Sequence, residues 1–140
     1  MPTTREQALE GLFLLLQDGI KNTKVLRNEV VPIKIPKSGL IILRDGNPGE
    51  ASITFSPTRY HYNHKAEIEI FTQQPNSTLL DDLLQAVGQV LSSTTNLEGA
   101  VDYMYFEAPE FLTERIEGAP EIKAASVPVI LEYTTNNPLS

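Results

Sequence analysis

Apolar side chains near the start of the chain recur at the spacing of an α-helix. The stripe consists of Leu9, Leu12, Phe13, Leu16 and Ile20. It predicts a first helix over residues 4–21, and Thr3 and Glu6 match the capping box that begins many helices. Leu14 and Leu15 widen the apolar arc beyond that of an ordinary surface helix. Two interpretations stay open: the core covers more than one side of this helix, or the helix contacts another subunit.

From about residue 25 to residue 71 the pattern changes to one typical of strands. Pro32 and Pro36 exclude a helix in the first part of this region. Residues 39–55 predict two strands joined by a turn at DGNPG, whose glycines and proline suit a chain reversal. A third strand is predicted over residues 60–71, YHYNHKAEIEIF.

The second half of the chain predicts one more helix and two more strands. A helical stripe over residues 78–91 contains Leu80, Leu83, Leu84, Val87 and Leu91. Strands are predicted at AVDYMYFE and AASVPVILEYTT, with a long loop, APEFLTERIEGAPEIK, between them. Pro128 lacks a backbone donor, so we expect the last strand to lie at a sheet edge or to contain a bulge there.

The order αβββαββ predicts an α+β fold, a mainly antiparallel sheet with two α-helices packed on one face. Two helices are too few to connect five strands in a doubly wound parallel sheet. We expect a single domain over residues 1–140, with a flexible C-terminal tail from about residue 134.

Composition narrows the classes of function. The chain has no cysteine, which excludes disulfides and thiolate chemistry. Its longest apolar run is five residues and no secretory signal is visible, so no membrane association is expected. The net charge of −7 opposes tight binding to a phosphate backbone, although DNA can pass nearby without adhering.

Both histidines of the chain, His61 and His64, lie in the third predicted strand and raise the question of a metal or acid–base site. Side chains alternate along a strand, so these two point to opposite faces. Ile68 and Ile70 mark the face of His64 as inward. Only a bulge at Asn63 would bring both imidazoles to one metal ion.

Glu67 and Glu69 share the face of His61. Three interpretations of this face stay open: a solvated surface, a subunit interface, or a carboxylate-supported imidazole completed by groups from other strands. Elsewhere, RDGNPGE lacks the spacing and lysine of a phosphate loop, and no G-x-S-x-G elbow is present. The sequence therefore predicts no enzyme and no catalytic, metal or cofactor site.

The order of these features resembles that of small proteins from the head–tail and tail gene modules of tailed phages, prophages and gene transfer agents. The resemblance covers nearly the whole chain and includes the phrases GLIILRDGNPGE, SPTRYHYNHKAEIEIFTQ, LDDLLQAVGQVL, EGAVDY, EAPE and EGAPEIKAASVPVILEYTTNNPL. Within this group the chain is most similar to tail-terminator proteins.

This resemblance implies a structural virion protein that forms a homo-oligomer, a hexameric ring. The ring would cap the tail tube protein, contact the neck or connector proteins, and let DNA pass through its lumen without specific binding. It implies a location in the tail or neck of the virion, with assembly in the host cytoplasm, and no cofactor. The alternatives are another neck or tail completion protein and, from a different class, a small enzyme or ligand-binding module.

No single functional residue is implied by the resemblance, because the group shares layout rather than a motif. A ring needs heterologous contacts, in which one surface meets a different surface of the next copy. The residues that we expect at such subunit or partner interfaces are Leu14, Leu15, Arg44, Asp45, Asn47, His61, Glu67, Glu69, Phe111, Arg115 and Tyr133.

Overall fold

The structure is a computed structural model that describes residues 2–74, 78–114, 118 and 121–140. Two α-helices, α1 (Thr4–Gly19) and α2 (Leu79–Leu91), lie within these residues, and a 3₁₀ turn spans Leu97–Gly99. The strands are β1 (Lys24–Arg27), β2 (Leu40–Asn47), β3 (Ser52–Thr54), β4 (Arg59–Thr72), β5 (Tyr103–Phe106), β6 (Glu110–Glu114) and β7 (Ile122–Thr135).

The described strands form one sheet in the order β1-β2-β4-β7-β5, with β3 paired to β4 and β6 paired to β7. Only the pairing of β1 with β2 is parallel, so the predicted α+β fold with a mainly antiparallel sheet is confirmed. Two strands were not predicted. The four-residue β1 is too short for a periodic signal, and β6 lies in the segment predicted as a loop.

The helices and one face of the sheet enclose the main core. From α1 it receives the predicted stripe residues Leu9, Leu12 and Leu16, all buried. Leu15 packs against this core, whereas Leu14 is exposed, so the wide apolar arc is divided between core and surface. The side chains that the sheet adds are Ile41, Leu43, Tyr62, Ala66, Ile68, Ile70, Val127, Val129, Leu131 and Tyr133.

The N-terminus of α1 forms half of the predicted capping box. The Thr3 hydroxyl oxygen accepts a hydrogen bond from the Glu6 N–H at 3.1 Å. The Glu6 carboxylate, however, binds the Arg27 guanidinium at 2.7 and 2.8 Å, so we interpret α1 as tied to β1 by this ion pair.

The second face of the sheet is covered at one end only. There Ile35 packs in a smaller buried cluster with Leu40, Ile42 and Phe71, and its N–H donates to the Gln73 side-chain oxygen at 2.8 Å. Ile35 belongs to the proline-bounded segment between β1 and β2. The remainder of this face, which we call the outer face, has no helix packed against it in the described part of the chain.

Of the two alternatives predicted for Pro128, the sheet edge is wrong, whereas the register of β7 does shift beside this residue, between Phe106↔Val129 of β5 and Glu110↔Ser126 of β6. β7 lies inside the sheet, between β4 on one side and β5 and β6 on the other. The Pro128 carbonyl accepts from the N–H of Glu107, a residue in the gap between β5 and β6. Since the N and C=O of a strand residue point the same way, the missing donor faces this gap and removes no bond from the β4 ladder.

Two segment boundaries also differ from expectation. β2 continues through Asn47, so Asp45 and Gly46 lie in the strand, where the register with β4 shifts between Arg44 and Asn47. This is a β-bulge rather than the predicted turn. β2 and β3 both pair antiparallel with β4, so they run in the same direction and the predicted chain reversal between them is wrong. The chain reverses instead at residues 55–58, between β3 and β4. At the C-terminus β7 includes Thr135, and the Ser140 carbonyl accepts from the Thr4 N–H at 2.8 Å. The flexibility of the tail stays a prediction.

Candidate subunit interface

The two histidines of β4 lie on opposite faces of the sheet, as the alternation predicts. His61 is exposed on the outer face and His64 is completely buried beneath the helices. Ile68 and Ile70 are buried on the same side as His64. The bulge is in β2 and not at Asn63, so the phase of β4 is continuous and the two rings cannot bind one metal ion.

His64 connects β4 to two other strands. Its Nε2 contacts the backbone oxygen of Asp45, which only accepts, so Nε2 holds the proton. Its Nδ1 then accepts from the Tyr133 hydroxyl at 2.9 Å. Burial lowers the pKa of His64 and raises the pKa of Tyr133 to about 12, which suits a neutral imidazole and a protonated phenol. We therefore interpret His64 as structural.

Stability should fall as the pH drops below about 6.5, the usual histidine pKa in an unfolded chain. Below this pH the unfolded state binds a proton that the buried His64 of the folded state does not bind. The free energy of unfolding therefore keeps falling until the pH reaches the lowered pKa of His64 in the folded protein. The free energy of unfolding should fall with a slope that approaches about 1.4 kcal/mol per pH unit. Urea unfolding between about pH 5 and 8 measures it.

The variant His64→Gln should lose this slope, whereas His61→Gln on the exposed side should retain it. Glu6 and Asp45 also have lowered pKa values, but their loss of stability begins nearer pH 4 and stays separate from the histidine window. An unchanged slope in His64→Gln would contradict the assignment.

His61 belongs to a polar chain on the outer face. The Thr134 hydroxyl donates to the Asp102 carboxylate at 2.7 Å, so it accepts from His61 Nδ1 at 3.0 Å. Thr54 lies 3.0 Å from His61 Nε2 on the other side of the ring. The carboxylate that supports this imidazole through Thr134 is therefore Asp102, and the predicted partners Glu67 and Glu69 do not contact it.

Sequence reasoning missed Asp102 and Thr134 because they lie far from His61 along the chain. The antiparallel register places Thr134 directly opposite His61, and the Asp102 N–H binds the Glu132 carbonyl at 2.7 Å. These four polar groups bridge three strands and the 3₁₀ region. The described residues around these groups include no nucleophile and no second base. We therefore interpret the hydrogen-bonded groups as a structural connection between the strands.

Several predicted interface residues are paired within the subunit. Arg44 binds Glu69 at 2.7 Å, and Glu67 accepts from the Ser126 hydroxyl at 3.2 Å. Asp45 accepts from the Arg27 guanidinium at 2.8 and 3.0 Å. Burial raises the pKa of Asp45, but the side-chain hydrogen bonds of Arg27 and Asn28 outweigh this and lower it overall.

The other predicted residues divide into three groups. Asn47 and Phe111 are exposed, like Leu14 and His61, and are available for contact. Tyr133 is only 3% exposed, so its ring lies in the core and we remove it from the candidate interface. Arg115 lies outside the described residues.

Large exposed apolar side chains lie at both edges of the sheet, and also at Phe55 after β3 and at Leu139 near the C-terminus, which the sequence did not reveal. Shortly after β1, Val30 is 87% exposed, whereas Ile33, 77% exposed, lies with the segment over one end of the second sheet face, near Gln73 and Gln74. At the opposite edge Phe111 and Leu112 on β6 are both more than half exposed, and Phe106 on β5 is partly so. Beside this second edge, a groove of about 270 Å³ lies between α2 and the sheet.

No three His, Asp or Glu side chains of the described residues are grouped so that they could hold a metal ion. None of the helices in this part of the chain is long and apolar enough to cross a membrane.

Comparison with known proteins finds a similarity to a solved structure. No protein-family model matches the chain, and no curated protein does. A similar solved chain is described as the virion of a native gene transfer agent (GTA) particle. It is 14% identical, and the match covers 91% of this chain and 90% of that chain with a TM-score of 0.45.

Proposed function

We propose that the chain is a structural virion protein, a tail terminator whose copies form a hexameric ring. The ring caps the completed tail tube, stops its growth and contacts the neck or connector. Support for this specific role is the resemblance in the order of features and in the quoted phrases. The subunit assembles in the host cytoplasm and resides in the tail or neck region of the virion.

The observation that supports an assembly role is the exposed apolar surface at both edges of the sheet. Among the described strands, β1 pairs only with β2, while β5 and β6 pair only with β7. An open edge with exposed apolar side chains readily takes up another chain. Here both edges have this character, with Val30 shortly after β1 and Phe111 and Leu112 on β6. Two different surfaces on one subunit are what a ring requires.

The polar groups that first suggested an enzyme have structural partners. His64 and Tyr133 bond to each other inside the core, and His61 bridges Thr54 and Thr134. Arg44 pairs with Glu69 across two strands. These contacts favour a rigid subunit over a catalytic centre, and the proposal includes no catalysis and no cofactor.

The net charge of −7 suits a ring through which DNA moves. Like charge on the lumen wall and the phosphate backbone prevents adhesion, so the proposal includes DNA passage without specific binding. A strongly basic lumen in the assembled ring would contradict this part of the proposal.

Electron microscopy of particles produced without this protein tests the terminator role. We expect abnormally long tails, because nothing stops polymerisation of the tube. Tails of normal length that fail to join heads would instead indicate a neck protein. Tails of normal length joined to heads would overturn both assignments.

A further inference from the structure

We propose that copies of the ring are joined by insertion of Phe55 of one subunit into the groove between α2 and the sheet of the next. Phe55 lies in the hairpin tip, residues 55–59, where the chain passes from β3 to β4. The receiving surface, the α2 groove, is lined by α2, β7 and the chain around the end of β5. The partner is a second copy of this chain, and the inference rests on the proposed ring.

The hairpin tip presents a large apolar side chain to solvent. Phe55 is 75% exposed, and the turn residues 56–58 beside it are exposed as well. The turn lies beyond the last pairing of β4 with β7, which joins Tyr60 to Thr135. Aromatic side chains dominate the energetics of protein interfaces, so a ring at the end of a hairpin is suited to enter a groove on another chain.

The α2 groove is apolar and open. Leu84, Leu91 and Phe106 are among the side chains that line it. Its volume is about 270 Å³, and an apolar cavity of about 150 Å³ is already large enough to bind benzene. A Cβ added at Gly88, which also lines the groove, would have no atom within 4 Å, so space remains above the helix. The groove therefore has room for a phenyl ring.

Charge favours the same pairing. Glu107 is the charged residue in the lining of the α2 groove. Arg59 pairs with Thr54 across the hairpin, next to Phe55, so insertion of the ring brings a guanidinium close to the Glu107 carboxylate. Lys123, the cation of β7, lies four residues from the groove lining on that strand, about 13 Å away. The Glu107 carboxylate is therefore open to a cation from another chain.

Three other strongly exposed apolar side chains are less suited to the α2 groove. Val30 follows Glu29, whose carboxylate would lie against that of Glu107. Ile33 and Leu139 lie along the walls of clefts in their own subunit rather than at the end of a hairpin. The hairpin tip combines an exposed ring with a neighbouring cation.

The hairpin tip does not reach the α2 groove of its own subunit. On β7 the groove is lined by Val127, which is paired with Ile68 of β4. Arg59 begins β4 nine residues before Ile68, about 30 Å away along the strand. The contact therefore joins two different surfaces of two copies. Such a heterologous contact repeats from copy to copy and closes into a ring when the rotation allows it.

Mixing two complementary variants tests this contact. Phe55→Ser removes the inserted ring, whereas Gly88→Leu fills the groove and raises the helix propensity of its position. Each variant alone should raise the dissociation constant of self-association about tenfold or more. An equimolar mixture should form a one-to-one dimer that grows no further. In this dimer Phe55 of the groove-filled chain occupies the open groove of the chain that lacks Phe55.

Sedimentation equilibrium at low salt, with protein up to about 1 mM, measures the wild type, each variant and the mixture. Leu139→Ser is the control, because it removes another exposed apolar side chain and should leave association unchanged. Circular dichroism shows whether each variant is folded. Dimer formation in the mixture shows independently that each variant keeps its remaining contact surface.

Charge exchange tests how the hairpin tip is oriented. Arg59→Glu and Glu107→Lys should each weaken self-association, because each places like charges at the rim of the groove. The double variant should associate more tightly than either single variant, since the two charges are again opposite. The same sedimentation measurement at low salt compares all three.

Several results would overturn the insertion of Phe55. These are a wild-type chain that stays a monomer or stops at a dimer, a folded Phe55→Ser or Gly88→Leu that associates normally, a mixture that stays monomeric, or a double charge variant no tighter than the single ones. The terminator role fails separately, on tail length in particles lacking the protein. Normal tails with a dimeric mixture would leave the contact standing, and long tails with a monomeric mixture would leave the terminator role standing.

Discussion

Replacing Gly46 by alanine is expected to lower the free energy of unfolding by about 3 kcal/mol or more. Gly46 has φ +64° and lies in the bulge of β2. A Cβ at this position would overlap the backbone oxygen of Lys65 on β4. A backbone carbonyl of a central strand cannot turn aside as a flexible side chain can, so the two strands must separate locally.

Gly49→Ala is the matched control for this substitution. Gly49 also has positive φ, +72°, but a Cβ there has nothing within 4 Å. Its cost should therefore be the backbone penalty alone, about 1–2 kcal/mol. Urea unfolding followed by circular dichroism compares both variants with the wild type. Equal losses at the two positions would show that the contact with Lys65 has no role.

Truncation of Ile68 to alanine should cost about 2–5 kcal/mol. Ile68 is completely buried on β4, opposite Leu43 of β2 and Val127 of β7. Neighbouring strands on both sides and helices above prevent the site from collapsing into the space that the removed atoms leave. The loss therefore includes both the transfer free energy of the side chain and the cost of a cavity.

Ile53→Ala makes the same chemical change at an exposed site. Ile53 is 49% exposed on β3, which pairs only with β4 in the described sheet. We expect a cost below about 1 kcal/mol, because solvent already reaches this side chain. Thermal or urea unfolding of the two variants gives the difference. A loss at Ile53 as large as that at Ile68 would mean that β3 packs against something that a single subunit does not show.

Much of the fold can be predicted from the sequence because its causes are local. The 3.6-residue stripe of Leu9, Leu12 and Leu16 requires a helix with one buried side. Alternation along β4 separates His61 from His64 before any coordinates are known. The bulge at Gly46 and the interior position of Pro128 escaped prediction, because each depends on which strand lies beside it.

For the candidate interface, too, the sequence and the tertiary structure supply different information. The sequence by itself determined two amphipathic helices and the inner and outer sides of the strands. Only the tertiary structure decided which apolar side chains are exposed at the edges of the sheet, and that Tyr133 is buried against His64. Periodicity reports which side of an element meets water, whereas the neighbours of a strand depend on pairings between residues far apart in the chain.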